Sequence, residues 1–94
     1  MILLSHRLKT IHDLIPPSIP MDVGSDHGHL ILSLIKDDIA EYGYAVENKS
    51  GPFQTLTKNI NAYPNLKNRI YPIFSNGIED IKDDVNYVII AGMG

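Results

Sequence analysis

Residues 21–30 read Met21-Asp22-Val23-Gly24-Ser25-Asp26-His27-Gly28-His29-Leu30, and the change of character within this stretch decides the fold. On its N-terminal side, Ile19 to Val23 has the length and apolar content of a short buried strand. It runs directly into a polar turn, Gly24-Ser25-Asp26-His27-Gly28, whose two glycines can take conformations closed to other residues and let a ligand approach the main chain. Beyond the turn, Leu30, Ile31, Leu34 and Ile35 recur at helical spacing as far as Lys36-Asp37-Asp38. The two acids suit a helix C-terminus poorly, because the helix dipole already places negative charge there. Strand, turn and helix in this order open a βαβ unit.

Working outward, Ser5 is placed to cap an N-terminal helix whose stripe is Leu8, Ile11 and Ile15, flanked by Leu4 and Leu14 and stopped by Pro16-Pro17. On the other side, Tyr42 to Val46 reads as a second strand closed by Glu47. A polar loop, Asn48-Lys49-Ser50-Gly51-Pro52, leads to a helix marked by Phe53, Leu56 and Ile60. Arg69 to Phe74 is a third strand in which Pro72 favours an edge or a strand end. Ser75-Asn76-Gly77 is a turn, Ile78 to Ile81 one short helical turn, and Val85 to Ala91 a fourth strand ending in Gly92-Met93-Gly94. Strands alternating with helices of this length imply parallel pairing with right-handed crossovers, hence an α/β, doubly wound sheet in the order 3-2-1-4 with ligands at the carboxyl ends of its strands. That architecture normally continues after a fourth strand. Residues 1–94 are therefore expected to be the N-terminal part of one domain, without its C-terminal remainder.

The 94 residues are 44% hydrophobic and 20% charged with seven Gly and six Pro, which excludes disordered, collagen-like and fibrous classes. The net charge of −3, with eight Lys and Arg dispersed along the chain, gives no basic stripe for nucleic acid. Absence of Cys excludes disulfides and Cys-based metal sites and fits a reducing compartment. The opening apolar stretch is too short for a signal peptide and no run approaches a membrane span, so a cytoplasmic protein is expected.

The residues that point to chemistry are the turn after strand one and the acid ending strand two. Glu47 stands 23 positions beyond Gly24, close to the spacing at which an acid at the second strand tip accepts from ribose hydroxyls. The alternative is that the glycines only permit a tight turn and Glu47 is a solvated strand end. Asp26 and His27 favour a ligand, since a turn needs neither. An acid beside a helix N-terminus is wrong for a pyrophosphate but suits a cationic sulfonium and its ammonium group. The Gly-x-x-x-Gly pattern also lacks the Gly-x-Gly-x-x-Gly of dinucleotide binders. Asn76-Gly77 and Ala91-Gly92-Met93 occupy the other two strand tips facing the same crevice; Asn-Gly is equally a common turn pair. His6, His12 and His29 form no metal-ligand pattern with one another, and His12 and His29 are expected to be surface or partly buried histidines. The five tyrosines, Tyr42, Tyr44, Tyr63, Tyr71 and Tyr87, are expected to pack.

Four stretches carry a family resemblance: residues 21–30 quoted above, Val46-Glu47-Asn48-Lys49-Ser50-Gly51-Pro52-Phe53, Ile89-Ile90-Ala91-Gly92-Met93-Gly94, and Leu4-Ser5-His6-Arg7-Leu8-Lys9-Thr10-Ile11. Together they resemble the bacterial tRNA adenine-N1 methyltransferases that modify position 22 of tRNA. The resemblance implies a Rossmann-like methyltransferase domain using S-adenosylmethionine, followed in such proteins by a mainly helical, coiled-coil-like region that helps hold tRNA. It implies that Gly24, Asp26 and His27 surround the methionine part of the cofactor, Glu47 the ribose and Asn76-Gly77 the adenine. Ser25 and Asn48 adjoin them in the same two turns, and Ala91, Gly92 and Met93 border cofactor and incoming base. Asp26 and His27 are the catalytic candidates; Arg7 and His29 would touch the RNA substrate. Two positions depart from the family pattern, which more often has Tyr at His29 and Asp at Asn76. Competing readings of the same residues are an NAD-dependent oxidoreductase half-domain and a non-catalytic nucleotide-binding module.

Overall fold

A computed structural model describes residues 2–25, 27–76 and 81–90. Helix α1 spans His6–Leu14, capped as expected by Ser5, whose hydroxyl accepts from the Leu8 N–H at 3.2 Å. Strand β1 is Pro20–Val23, helix α2 His29–Lys36, strand β2 Gly43–Glu47, helix α3 Ser50–Asn61, strand β3 Ile70–Phe74 and strand β4 Tyr87–Ile89. All pairings are parallel and the order is β3-β2-β1-β4, as the alternation of elements requires. Pro72 lies within β3, at the edge of the sheet where its missing N–H breaks no ladder.

The main core lies between the sheet and its helices. Ile31, Leu32, Leu34 and Ile35 of α2 and Leu56 and Ile60 of α3 pack with Ala45, Ile70 and Ile89. At about 25 cal/mol per Å² of apolar surface this burial is the main force closing the unit. On the opposite face Met21, Val23 and Val46 form a second cluster with Tyr44, Ile73 and Val85.

Several boundaries differ from the sequence reading, each for a local reason. α3 begins at Ser50 instead of after Pro52, because Pro52 falls in the first turn, where no N–H is required of it. Arg69 ends a short 3₁₀ turn, Lys67–Arg69, and does not begin β3. Its guanidinium reaches back to the carbonyls of Glu41 and Ala40, at 2.6 and 3.2 Å, and to the Asp38 carboxylate at 3.3 Å. β4, Tyr87–Ile89, starts two residues later than Val85, where Asn86 instead exchanges hydrogen bonds with Ile19 through its N–H and side-chain oxygen. The expected helical turn at 78–81 falls mostly outside the described residues, as do Ala91 and the terminal glycines.

His12 is a correction. It is buried, deeper than the surface or partly buried placement expected: its Nδ1 and Nε2 each lie 2.9 Å from a carboxylate oxygen, of Asp13 and Asp37 respectively. This pairing also explains the acids at the end of α2. Asp37 is spent on His12 and Asp38 on Arg69, so neither stands unpartnered at the negative end of the helix. The tyrosines pack as expected, Tyr42, Tyr44 and Tyr71 forming a cluster with ring centroids 5.5–6.3 Å apart. The hydroxyls of Tyr42 and Tyr44 donate to Asp84, which holds that carboxyl below its ordinary range and pushes the Tyr42 phenol up to about 12.

Candidate functional site

Parallel strands place all their carboxyl ends on one side, and the register brings specific residues together there. Val23 pairs with Val46, so the turn after β1 stands beside Glu47; the Gly24 and Ser25 N–H groups both donate to the Val46 carbonyl, at 2.9 and 3.1 Å. Glu47 in turn pairs with Phe74, and the Ser75 N–H donates to the Glu47 carbonyl at 2.9 Å, which sets Ser75-Asn76 next along the same rim. On the other flank Asp22 pairs with Ile89, so the chain leaves β4 next to the same turn.

The turn has the conformation its glycines predict. Gly24 and Gly28 take φ of +71° and +77°, the left-handed region that side chains resist. Gly28 is also sterically required, since a Cβ there would stand 2.7 Å from Leu56 Cδ1 of α3. As the residue before α2 it offers no side-chain cap, so the helix meets the crevice with main-chain N–H groups.

Around this backbone the side chains divide by depth. Glu47 is buried, 8% exposed, at the tip of β2. Its side chain is thus shielded at the end of a rigid element, not solvated as the alternative reading required. Ser25 is buried and its hydroxyl donates to Asp22 Oδ2 at 3.0 Å. With its N–H on Val46, it frames the turn. His27 is exposed and His29 half-buried, their rings stacked 5.5 Å apart at 23°. Asn48 and Asn76 are exposed on the rim. Arg7 is exposed on α1, an element packed against α2 and not at a strand tip. Asp26, Gly77, Ala91, Gly92 and Met93 lie outside the described residues.

One ionisable group at the site went unread in the sequence. Asp22, 2% exposed, has its carboxyl pushed up to about 7, chiefly by burial and further by the negative charge of Glu47, against the opposing hydrogen bond from Ser25. Its signal was present: a carboxylate interrupting an otherwise apolar strand, Met21-Asp22-Val23. Among the described residues no three His, Cys, Asp or Glu side chains gather as a metal site.

The arrangement can receive an adenosine-like ligand. A turn with two left-handed glycines leaves room at the main chain, and two buried carboxyl groups, Asp22 and Glu47, stand at the strand tips beside it, a carboxylate there being able to accept from paired hydroxyls. Comparison with known proteins agrees with this chemistry. The profile described as a methyltransferase domain matches residues 4–94. The chain belongs to the methyltransferase domain family. Within it, the chain is 33% identical over 93 residues to the tRNA (adenine(22)-N(1))-methyltransferase of Bacillus subtilis, covering 97% of this chain and 39% of that protein. A Streptococcus pneumoniae protein crystallised with S-adenosyl-L-methionine superposes with a TM-score of 0.89 at 34% identity, over 98% of this chain and 44% of that one. TrmK of M. capricolum, solved with S-adenosyl-homocysteine, gives 0.80 at 31% identity, over 90% of this chain and 39% of that one. The fold is the Rossmann-like fold of S-adenosylmethionine-dependent methyltransferases. This methyltransferase-family chain spans about two fifths of the length of the relatives it matches.

Proposed function

We propose that this chain is the cofactor-binding part of an S-adenosylmethionine-dependent methyltransferase that acts on N1 of adenine 22 in tRNA, in the cytoplasm. The observation that carries the reading is the pairing of the Gly24–Gly28 turn with the buried Glu47 on adjacent strand tips, in a chain of the methyltransferase family. Glu47 accepts from the ribose hydroxyls. Gly24, with Asp26 and His27, receives the methionine end, and Asn76-Gly77 lies at the adenine. Ala91, Gly92 and Met93 border the cofactor and the target base. Ser25 and Asn48 flank the ligand in their respective turns, Ser25 through the backbone it braces.

The cofactor supplies an electrophilic methyl on a sulfonium. Adenine N1 has an in-plane lone pair and no proton to lose, so the chain needs no strong general base. Its task is to hold N1 in line with the methyl, an effect worth roughly 7–11 kcal/mol in well-oriented systems. The base becomes cationic on methylation, and acceptors near its N6 group, Asp26 and His27 among them, stabilise that charge as it develops. Arg7 and His29 are assigned to the RNA side.

Titration calorimetry tests this directly. S-adenosylmethionine and S-adenosylhomocysteine are expected to bind saturably, NADH not at all. Glu47→Ala is expected to weaken both adenosyl ligands by about 1–3 kcal/mol through lost charge-assisted hydrogen bonds. Binding of NADH alone would overturn the reading, and an unchanged dissociation constant in the variant would remove Glu47 from the site.

A further inference from the structure

The turn is gripped by a helix that the site so far has not used. Leu56 and Asn59 stand three residues apart on α3 and therefore share a face. Leu56 abuts Gly28 so closely that no side chain fits there. Asn59 adds a directional contact, its Nδ2 donating to the His27 carbonyl at 2.8 Å. α3 also begins three residues after Glu47, so one rigid element touches both the turn and the tip of β2.

The grip matters because the turn has weak preferences of its own. Gly24 and Gly28 are the residues least restricted in φ and ψ, so the backbone at each of them depends on outside bonds. The Gly24 and Ser25 N–H groups anchor its start on β2, and Ser25 is tied to Asp22. Its far end, where the exposed His27 side chain stands, is held by the Gly28 N–H to the Ser25 carbonyl at 3.0 Å and by Asn59. A carboxamide suits this contact: it donates, whereas the equally sized carboxylate of Asp would set an acceptor against an acceptor.

We infer that Asn59 is a positioning residue, whose amide fixes the His27 carbonyl so that the His27–Gly28 main chain and the His27 side chain meet the amino-acid end of an adenosyl ligand. The inference rests on the methyltransferase reading for its ligand, and on the Asn59–His27 contact for its mechanism.

The test compares two ligands on the wild-type chain, Asn59→Asp and Asn59→Gln. S-adenosylhomocysteine carries the amino-acid group; 5′-methylthioadenosine has the same nucleoside and sulfur without it. Asn59→Asp is expected to weaken the first about tenfold and to leave the second within about twofold, and Asn59→Gln, which keeps the donor, to recover most of the loss. Amide exchange at Gly28 should accelerate about tenfold in Asn59→Asp while that of β2 is unchanged. Equal weakening of both ligands, with exchange faster throughout β2, would mean that Asn59 only stabilises the fold and would overturn the inference. So would unchanged affinity for S-adenosylhomocysteine or unchanged Gly28 exchange. If the wild-type chain binds neither ligand, the methyltransferase reading fails, while Gly28 exchange still decides whether Asn59 holds the turn.

Discussion

At Gly28 two independent constraints meet, a left-handed φ of +77° and Leu56 within 2.7 Å of where a Cβ would be. Gly28→Ala is therefore expected to destabilise the chain by about 2–4 kcal/mol, more than the backbone conformation alone would cost, as read by urea unfolding. Asp22 gives a pH dependence with a definite sign. Its folded carboxyl titrates near pH 7 and its unfolded one near 3.8, so between these values the folded state holds a proton that the unfolded state has released. Stability then falls as pH rises through that window, by at most about 4 kcal/mol from this group, and levels off above it. Asp22→Asn, which can still accept from Ser25, should flatten the profile and make the chain more stable than wild type at pH 8. Denaturation midpoints of the two proteins between pH 4 and 8 check this; parallel profiles would contradict the assignment. The turn glycines were legible in the sequence because a polar segment bounded by two glycines directly after an apolar strand calls for left-handed backbone, which both adopt. Asp22 was not, because only the packing around β1 turns a carboxylate in a strand into a buried acid within the field of Glu47.

At the scale of elements, α1 is fastened to the end of α2 by His12, which stands between Asp13 and Asp37. Each ring nitrogen stands 2.9 Å from one of the two carboxylates, so the imidazole ties the end of α1 to the end of α2. Asp37 is half exposed and its pairing is accordingly modest. Asp37→Ala should cost about 1 kcal/mol and His12→Ala about 1–2 kcal/mol, and the double variant little more than His12→Ala alone. A thermodynamic cycle from chemical denaturation gives the coupling; additive losses would mean the two residues do not act as a unit. The periodic stripes of α1, α2 and α3 were readable because helical spacing fixes which side chains share a face. The start of α3 and the 3₁₀ turn at Lys67–Arg69 were not. Pro52 looks like a loop residue until the helix is known to begin two residues earlier, and Arg69 leaves the strand to bind carbonyls 28 and 29 positions away.

For the whole molecule, the crevice joins tips contributed by β1, β2 and β3, so a ligand seated there bridges segments that separate on unfolding. S-adenosylhomocysteine at 100 times its dissociation constant should then add about 2.7 kcal/mol to the stability of the entire chain, seen as a single higher unfolding midpoint. At the same concentration Glu47→Ala should show a clearly smaller rise. A midpoint that does not move for the wild type would argue against binding to the folded state.

The sequence by itself determined the α/β class, the parallel order β3-β2-β1-β4, the edge position of the Pro72 strand and the presence of a glycine turn and an acid at neighbouring strand ends. These follow from periodicity, turn chemistry and the handedness of crossovers, which act over a few residues or through general rules of chain connection. Tertiary structure alone decided that Glu47 is buried, that Asp22 is an acid held near pH 7, that Ser25 faces inward, that His12 lies beneath two carboxylates, and that Asn59 holds the turn. Each of these depends on what lies across a gap in the sequence. Burial and partner distance set the energy of a charge or a hydrogen bond, and neither exists until strands and helices have closed on one another.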